Sequence, residues 1–213
     1  MISARKIFET REALATGLAG DVAAALTARI AAKGSATLAV SGGTTPALFF
    51  HHLASQDIAW HKVVVTLVDE RQVPETSPRS NAALVKASLL QDKAAMARFV
   101  PLFENVTEAA ALSLDVVVLG MGSDGHTASF FPGGDTLAQA LDPATPKSII
   151  AIAAPGSGEP RLTYTLPKLL AAATLCLHIE GPAKMQVLEQ ALAGDDVLEM
   201  PIRAVLAAAS PLQ

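Results

Sequence analysis

The sequence predicts an α/β fold of three layers, in which helices cover both faces of a doubly wound, mostly parallel, six-stranded sheet. Three observations lead to this prediction. Short apolar runs recur along the 213 residues, helical segments alternate with them, and glycine-rich turns follow two of the runs. Because crossovers between parallel strands are right-handed, the intervening helices are expected on both faces of the sheet.

Six apolar runs are the predicted strands: Thr37 to Val40, Val63 to Val68, Asp115 to Leu119, Ser148 to Ala153, Thr174 to Ile179 and Arg203 to Ala207. The helices predicted between them are Glu12 to Ala32, Pro46 to Ser55, Asn81 to Leu90, Leu166 to Ala172 and Ala183 to Leu192. The proline- and glycine-rich stretches between these elements are too short to be interdomain linkers. We therefore expect one domain over residues 1–213.

Composition narrows the class of function. Hydrophobic residues make up 51% of the chain, and the net charge of -4 argues against a nucleic-acid surface or a polybasic membrane patch. The amino terminus lacks the apolar stretch of a secretion signal, and no run reaches the roughly 18 apolar residues of a membrane span. We expect a cytoplasmic protein that needs no protein partner, with Cys176 as a buried, unreactive thiol.

The segment from Asp115 to Ser129 is the first candidate for chemistry. An apolar strand leads into a glycine-rich turn that presents Asp124 and His126, at the edge of the sheet where open α/β folds bind ligands. The glycines also match a dinucleotide-binding fingerprint, but Pro132 and the glycines after it interrupt the helix that this fingerprint requires. We expect the turn to expose Asp124 and His126, whereas the other four histidines lack this context.

A second glycine-rich turn, Ser41-Gly42-Gly43-Thr44, follows the first strand and leads into a helix. Glycines let a ligand approach the backbone closely, and the amides and dipole of a helix N-terminus favour an anion such as a phosphate monoester. An ordinary strand-to-helix turn is the equally weighted alternative.

Charged residues stand at other predicted strand ends. Asp69-Glu70-Arg71 ends the second strand, where catalytic carboxylates and a substrate-binding Arg are commonly placed; a solvated loop is the alternative interpretation. Arg161 follows a proline, and Lys184 begins a helix, where a cation opposes the dipole unless an anion lies beside it. Each of these two cations taken alone could equally be a surface charge.

Taken together, these motifs resemble the 6-phosphogluconolactonase family. The matching residues, in the family's order, are Ser41 to Pro46; Asp69 to Arg71 with Val73-Pro74 and Ser80-Asn81; Gly120 to Gly122 with Asp124 to Ser129 and Phe131-Pro132; Arg161-Leu162-Thr163; and Gly181 with Lys184. The resemblance runs from Phe8 to about Ala208. It implies the fold shared by glucosamine-6-phosphate deaminase and ribose-5-phosphate isomerase, which agrees with the six strands predicted independently.

The resemblance also implies an activity: hydrolysis of 6-phospho-D-glucono-1,5-lactone to 6-phosphogluconate in the pentose phosphate pathway, without metal or organic cofactor. His126 matches the family's base, and Asp124 and Asp69 would orient the imidazole or the sugar hydroxyls. Arg71 would stabilise charge in the transition state.

The implied phosphate site consists of Arg161, Lys184 and the amides from Ser41 to Thr44. How the cations divide their roles is left open.

Two alternatives remain. An amino-sugar phosphate deaminase or isomerase of the same superfamily would carry a Glu five residues after the His, where this chain has Phe131, which exchanges no protons. A sugar-phosphate-sensing domain of a transcription regulator would use the fold for binding alone and would carry a helix-turn-helix, for which the residues before Phe8 leave no room.

Overall fold

A computed structural model describes residues 2, 4–43, 45–155 and 157–208 of the chain. Within these residues the strands are β1 (Ala36–Val40), β2 (Val63–Leu67), β3 (Asp69–Arg71), β4 (Arg98–Phe99), β5 (Val116–Leu119), β6 (Ile149–Ile152), β7 (Arg161–Tyr164) and β8 (Thr174–Leu177). The helices are α1 (Arg11–Lys33), α2 (Ala47–Ala54), α3 (Asn81–Ser88), α4 (Val106–Ala111), α5 (Leu137–Leu141), α6 (Leu166–Leu170), α7 (Gly181–Leu192) and α8 (Ile202–Ala207). Short 3₁₀ helices lie at Trp60–Lys62 and Asp92–Met96.

The central sheet is parallel and has the strand order β4-β2-β1-β5-β8. Every residue of β1 and of β5 is buried. Because successive side chains of a strand point to opposite faces, this burial means that both faces of the sheet are covered around β1 and β5. The predicted α/β fold with a mostly parallel sheet is confirmed, but the sheet contains five strands and not six.

Two predicted strands are absent from the central sheet, and β4 is a strand that was not predicted. One of the two absent strands lies in a second sheet. The run Ser148 to Ala153 forms β6, which belongs to a three-stranded antiparallel sheet of order β3-β7-β6. The two sheets meet at Val68, whose amide donates to Val40 O at 3.0 Å and whose carbonyl accepts from Tyr164 N at 3.0 Å. The chain therefore leaves β2 and enters β3 almost at once, which sequence patterning did not predict.

The predicted strand from Arg203 to Ala207 is wrong, because these residues form most of α8. The buried residues Ile202, Val205 and Leu206 follow the spacing of a helix face. Arg203 supplies a further reason, since its guanidinium donates to Ala191 O at 3.2 Å near the end of α7 and to Asp196 O at 3.0 Å in the loop that follows. A short apolar run fits either structure, and here its tertiary contacts favour the helix.

Helix α1 begins after an N-cap at Thr10, whose side chain accepts from Ala13 N, and ends at Gly34 in a left-handed conformation. By length and composition alone it could cross a membrane, although Asp21 and Arg29 interrupt its apolar runs. Its buried side is a stripe of helical period formed by Ala15, Ala19, Val22 and Leu26. Ion pairs from Arg29 and Lys33 to the buried Asp115, at 3.0 and 2.9 Å, attach its C-terminal end to the start of β5. These contacts are those of an amphipathic helix packed on a core.

Candidate active site

A cleft of about 180 Å³ lies at the carboxyl ends of the central strands. After β1 the chain crosses towards β2, and after β5 it leads towards β8 on the other side, so the order of the sheet reverses between β1 and β5. Loops that depart in opposite directions open a crevice at such a point. The walls of this crevice include the turns after Val40 and Leu119 and the end of β8.

His126 lies in this cleft and is paired with Asp124. Its Nδ1 donates to Asp124 Oδ1 at 2.6 Å, and its backbone amide donates to the same oxygen at 3.1 Å. The hydrogen bond from His126 lowers the pKa of Asp124 to about 2, so this carboxylate is ionised at neutral pH. Because Nδ1 carries the hydrogen, Nε2 of the neutral ring is left as a proton acceptor.

Close packing shapes the His126 turn. A Cβ on Gly122 would lie 2.1 Å from His126 Nδ1, so a side chain there is incompatible with the observed pair. Gly125 has a φ of 78°, which favours glycine, and its carbonyl accepts from Ile202 N at 2.8 Å. The helix α8, which had been predicted to be a strand, therefore supports the turn that carries the histidine.

The carboxylates of Asp69 and Glu70 lie in different environments. Asp69 lines the cleft, and its Oδ2 accepts from Ser129 Oγ at 2.6 Å. Glu70 instead accepts from the amides of Asn81 at 2.9 Å and Ala82 at 2.7 Å, at the start of α3. Burial raises the pKa of Glu70, and these amide donors partly offset the rise. Glu70 is thus a helix cap, and Asp69 is the carboxylate available to a ligand.

Arg71, Arg161 and Lys184 all line the cleft, so the structure brings the three predicted cations together. Arg71 and Arg161 are cross-strand partners of β3 and β7. Arg161 is buried, donates to Ser157 O at 3.0 Å and has Nη1 3.7 Å from Asp69 Oδ2. Burial lowers its pKa, although an arginine stays protonated at neutral pH. Within the described residues, Lys184 has no ion-pair partner.

The first glycine-rich turn forms another wall of the cleft. Ser41 is hydrogen-bonded to β5 and the residue after it. Its amide and hydroxyl donate to Val118 O at 3.0 and 3.1 Å, and the hydroxyl accepts from Gly120 N at 3.0 Å. The amides of Gly42 and Gly43 have no hydrogen-bond partner among the described residues. Thr44, which was also predicted to bind the phosphate, lies outside the described residues. Among the described residues of the turn, the Gly42 and Gly43 amides are therefore the donors still available to a ligand.

Two residues near the cleft were missed or given no role from sequence. His178 was set aside among the histidines without context, yet it directly follows β8 and lines the cleft, with Nε2 3.2 Å from Glu180 Oε1. Burial lowers the pKa of His178. Ser129 belongs to the quoted motif, and it was given no role there although it binds Asp69. The position of His178 after an apolar strand is the signal that could have identified it.

Among the described residues, no three His, Cys, Asp or Glu side chains come close enough together to hold a metal ion. What the cleft offers is a histidine oriented by a carboxylate, a second carboxylate, three cations and a glycine-rich turn. This set suits proton transfer on a small anionic substrate.

Comparison with known proteins places the chain in a family. The model of the family described as glucosamine-6-phosphate isomerases/6-phosphogluconolactonase matches residues 9–212. The chain belongs to this family. It is 57% identical to a 6-phosphogluconolactonase of Rhizobium meliloti (strain 1021), with 97% of the chain and 95% of that protein covered. It is 45% identical to a 6-phosphogluconolactonase of Pseudomonas putida, with 96% and 90% covered.

A solved structure supports the membership. The crystal structure of a 6-phosphogluconolactonase from Shewanella baltica superposes with a TM-score of 0.92 at 38% identity, covering 100% of this chain and 98% of that one. The family resemblance predicted from the five sequence motifs is therefore confirmed. The family model also extends over both sheets and over α8, the elements for which sequence patterning was incomplete.

Proposed function

We propose that this protein is a 6-phosphogluconolactonase, a single-domain hydrolase that converts 6-phospho-D-glucono-1,5-lactone to 6-phosphogluconate in the pentose phosphate pathway. The observation that carries the proposal is the His126–Asp124 pair, with Nδ1 and Oδ1 2.6 Å apart, in a cleft that also contains three cations. The names of the relatives support the substrate class.

The reaction begins with attack of water on the lactone carbonyl. His126 Nε2 accepts a proton from the water as the new C–O bond forms, and Asp124 stabilises the resulting imidazolium. The carbonyl becomes a tetrahedral oxyanion. When it collapses, the bond between the carbonyl carbon and the ring oxygen breaks, and His126 returns its proton to that oxygen. The product acid then ionises, so each turnover releases one proton.

The remaining charged groups bind and orient. Arg71 stabilises the oxyanion, and Asp69, held by Ser129, accepts hydrogen bonds from sugar hydroxyls. Lys184, Arg161 and the amides of Gly42 and Gly43 hold the phosphate. In a protein with a net charge of -4, these local cations provide the attraction for an anionic substrate.

We propose further that the protein acts in the cytoplasm on this small molecule alone, without metal, organic cofactor, nucleic acid, membrane or obligatory protein partner. The net charge supports the exclusion of nucleic acid and of anionic membranes. The scarcity of clustered metal-ligating side chains in the described part of the chain supports the exclusion of a metal.

The testing experiment follows proton release from fresh lactone, in the presence of a chelator, against the spontaneous background. Wild-type protein should accelerate hydrolysis, and His126→Ala should lower kcat by about 10²- to 10⁴-fold, the usual contribution of a positioned base. His61→Ala, which removes an exposed histidine far from the cleft lining, is the matched control and should retain activity. Near-normal turnover by folded His126→Ala would remove His126 from the mechanism.

The same preparation separates the hydrolase from the two alternatives. Glucosamine 6-phosphate should release no ammonia at a rate that rivals lactone hydrolysis, because Phe131 supplies no second proton carrier beside His126. Rapid ammonia release would favour a deaminase. Binding of the lactone without turnover would favour a sensor.

A further inference from the structure

Phe131 contacts two functional groups of the cleft at once. Its ring centroid lies 4.3 Å from that of His126, with an angle of 39° between the ring planes. Cζ of Arg161 lies over the same ring, 5.1 Å from its centroid. The side chain is half-buried and is not itself part of the cleft lining. Phe131 therefore touches the proposed base and a proposed phosphate ligand from behind the site.

The backbone holds this ring in place. The amide of Phe131 donates to Ser129 O at 3.0 Å, and its carbonyl accepts from Gly134 N at 3.0 Å. Phe131 is thus enclosed by two tight turns, one of which also carries Ser129, the partner of Asp69. A ring anchored in this way can serve as a fixed surface for its neighbours.

The orientation of the His126 ring depends on its contact with Phe131. The hydrogen bond to Asp124 fixes the imidazole at Nδ1 only, and a ring held at one atom can still rotate about that contact. Packing against Phe131 fixes the plane of the ring as well, and hence the direction of Nε2. An imidazolium is also attracted to the face of an aromatic ring, so the contact favours the charged state formed during proton transfer.

The Arg161 guanidinium is likewise held by few polar contacts. Its polar contacts are one carbonyl at 3.0 Å and a carboxylate oxygen at 3.7 Å, and its buried Nε has no partner among the described residues. The ring of Phe131, with Arg161 Cζ 5.1 Å from its centroid, attracts the guanidinium without forming a conventional hydrogen bond, so the contact leaves the remaining N–H donors available for an anion. One side chain thereby contacts both the proposed base and a proposed phosphate ligand.

We infer that Phe131 is a positioning residue that orients the His126 imidazole for proton transfer and the Arg161 guanidinium for phosphate binding. The inference rests on the proposed lactonase function. It differs from a packing role because it predicts linked losses: a slower chemical step, and a weaker preference for the phosphorylated substrate.

The test compares Phe131→Leu, which removes the aromatic face, with Phe131→Tyr, which keeps it. Phe99→Leu is the matched control, since Phe99 is also half-buried and packs against a cation, Lys86, away from the cleft. In Phe131→Leu, kcat should fall about 10- to 30-fold on both 6-phosphogluconolactone and gluconolactone, as expected for a misplaced base. The kcat/KM preference for the phosphorylated lactone should fall about fivefold. Phe131→Tyr should restore both values, and Phe99→Leu should change neither.

A second readout does not depend on catalysis. The Cε1–H resonance of His126, assigned by its loss in His126→Ala, should carry a ring-current shift that disappears in Phe131→Leu and persists in Phe131→Tyr. Titration with 6-phosphogluconate should show weaker binding to Phe131→Leu. If wild-type protein fails to hydrolyse the lactone, the proposed function fails, and the resonance and the titration still test the positioning role.

The inference is overturned if Phe131→Leu lowers only the melting temperature, or if it leaves kcat, the substrate preference and the His126 resonance unchanged. Should Phe131→Leu not fold, Phe131→Met provides the same loss of the aromatic face with a flexible side chain of similar length. Unchanged behaviour of folded Phe131→Met would overturn the inference equally.

Discussion

Replacement of Gly122 by alanine should displace the catalytic pair without unfolding the protein. A Cβ at this position would lie 2.1 Å from His126 Nδ1, 2.2 Å from His126 Cε1 and 2.6 Å from Asp124 Oδ1. Ordinary contacts between such atoms are about 3.5 Å or longer, so the imidazole must move by about 1.4 Å. The backbone itself accepts alanine, since Gly122 is not among the glycines with positive φ.

The size of the effect follows from this displacement. A shift of about 1 Å in a catalytic group can cost about 100-fold in rate, which corresponds to about 2.7 kcal/mol of transition-state stabilisation. We therefore expect kcat for Gly122→Ala on 6-phosphogluconolactone to fall about 100-fold, with a smaller change in KM, because the phosphate ligands belong to other elements. Circular dichroism and the melting temperature should remain near those of the wild type.

Gly120→Ala is the control from the same turn. Its Cβ would meet nothing closer than Ser41 Cβ at 4.0 Å, so it should retain at least about ten times the kcat of Gly122→Ala. Steady-state kinetics of both variants, measured by proton release, make the comparison. A folded Gly122→Ala protein with wild-type kcat would show that the observed His126–Asp124 arrangement is not required, and the reasoning would be refuted.

Three further predictions follow from charge and burial. Lys184→Ala should lower kcat/KM on the phosphorylated lactone by an amount equivalent to about 1.5 to 3 kcal/mol of binding free energy, and should leave kcat/KM on gluconolactone unchanged. Substitution of the exposed Lys93 by alanine is the control. Equal losses on both substrates would exclude phosphate recognition by Lys184. Cys176 should react slowly with thiol reagents at pH 8 until the protein unfolds, because burial raises its pKa to about 11; rapid labelling of folded protein would contradict this. Burial lowers the pKa of His178 from its ordinary value of 6.5, and the nearby Glu180 only partly offsets this. As the pH falls through that ordinary value, the unfolded chain therefore binds the extra proton and the free energy of unfolding falls. Urea titrations should show a shallower fall for His178→Gln, and an identical slope would refute the assignment.

Much of the candidate site could be predicted from sequence because it is local. The turn with Asp124 and His126 and the turn with Gly42 and Gly43 each follow an apolar run directly. The carboxyl ends of adjacent parallel strands lie at one edge of a sheet. Identification of the two strands was therefore enough to predict that these turns lie close together. Arg161 and Lys184 were predicted less directly, through the order of the motifs, and the cleft contains both.

The contacts between distant segments depended on the tertiary structure. Asp69 and Ser129 are 60 residues apart, and their hydrogen bond requires the second sheet, whose strands β3 and β7 are too short and too polar to be recognised by periodicity. The ring of Phe131 meets His126 and Arg161 through turn geometry that no spacing rule describes.

The sequence by itself determined the parallel core and the turns that carry Asp124, His126, Gly42 and Gly43, because burial on both faces and tight turns leave local signatures in residue type. Only the tertiary structure decided whether the apolar run from Arg203 to Ala207 became strand or helix. Such a run is compatible with either conformation, and its tertiary contacts decide between them. Here the contacts are the Ala191 carbonyl near the end of α7, to which the Arg203 guanidinium donates, and the Gly125 carbonyl, to which Ile202 donates at the start of α8.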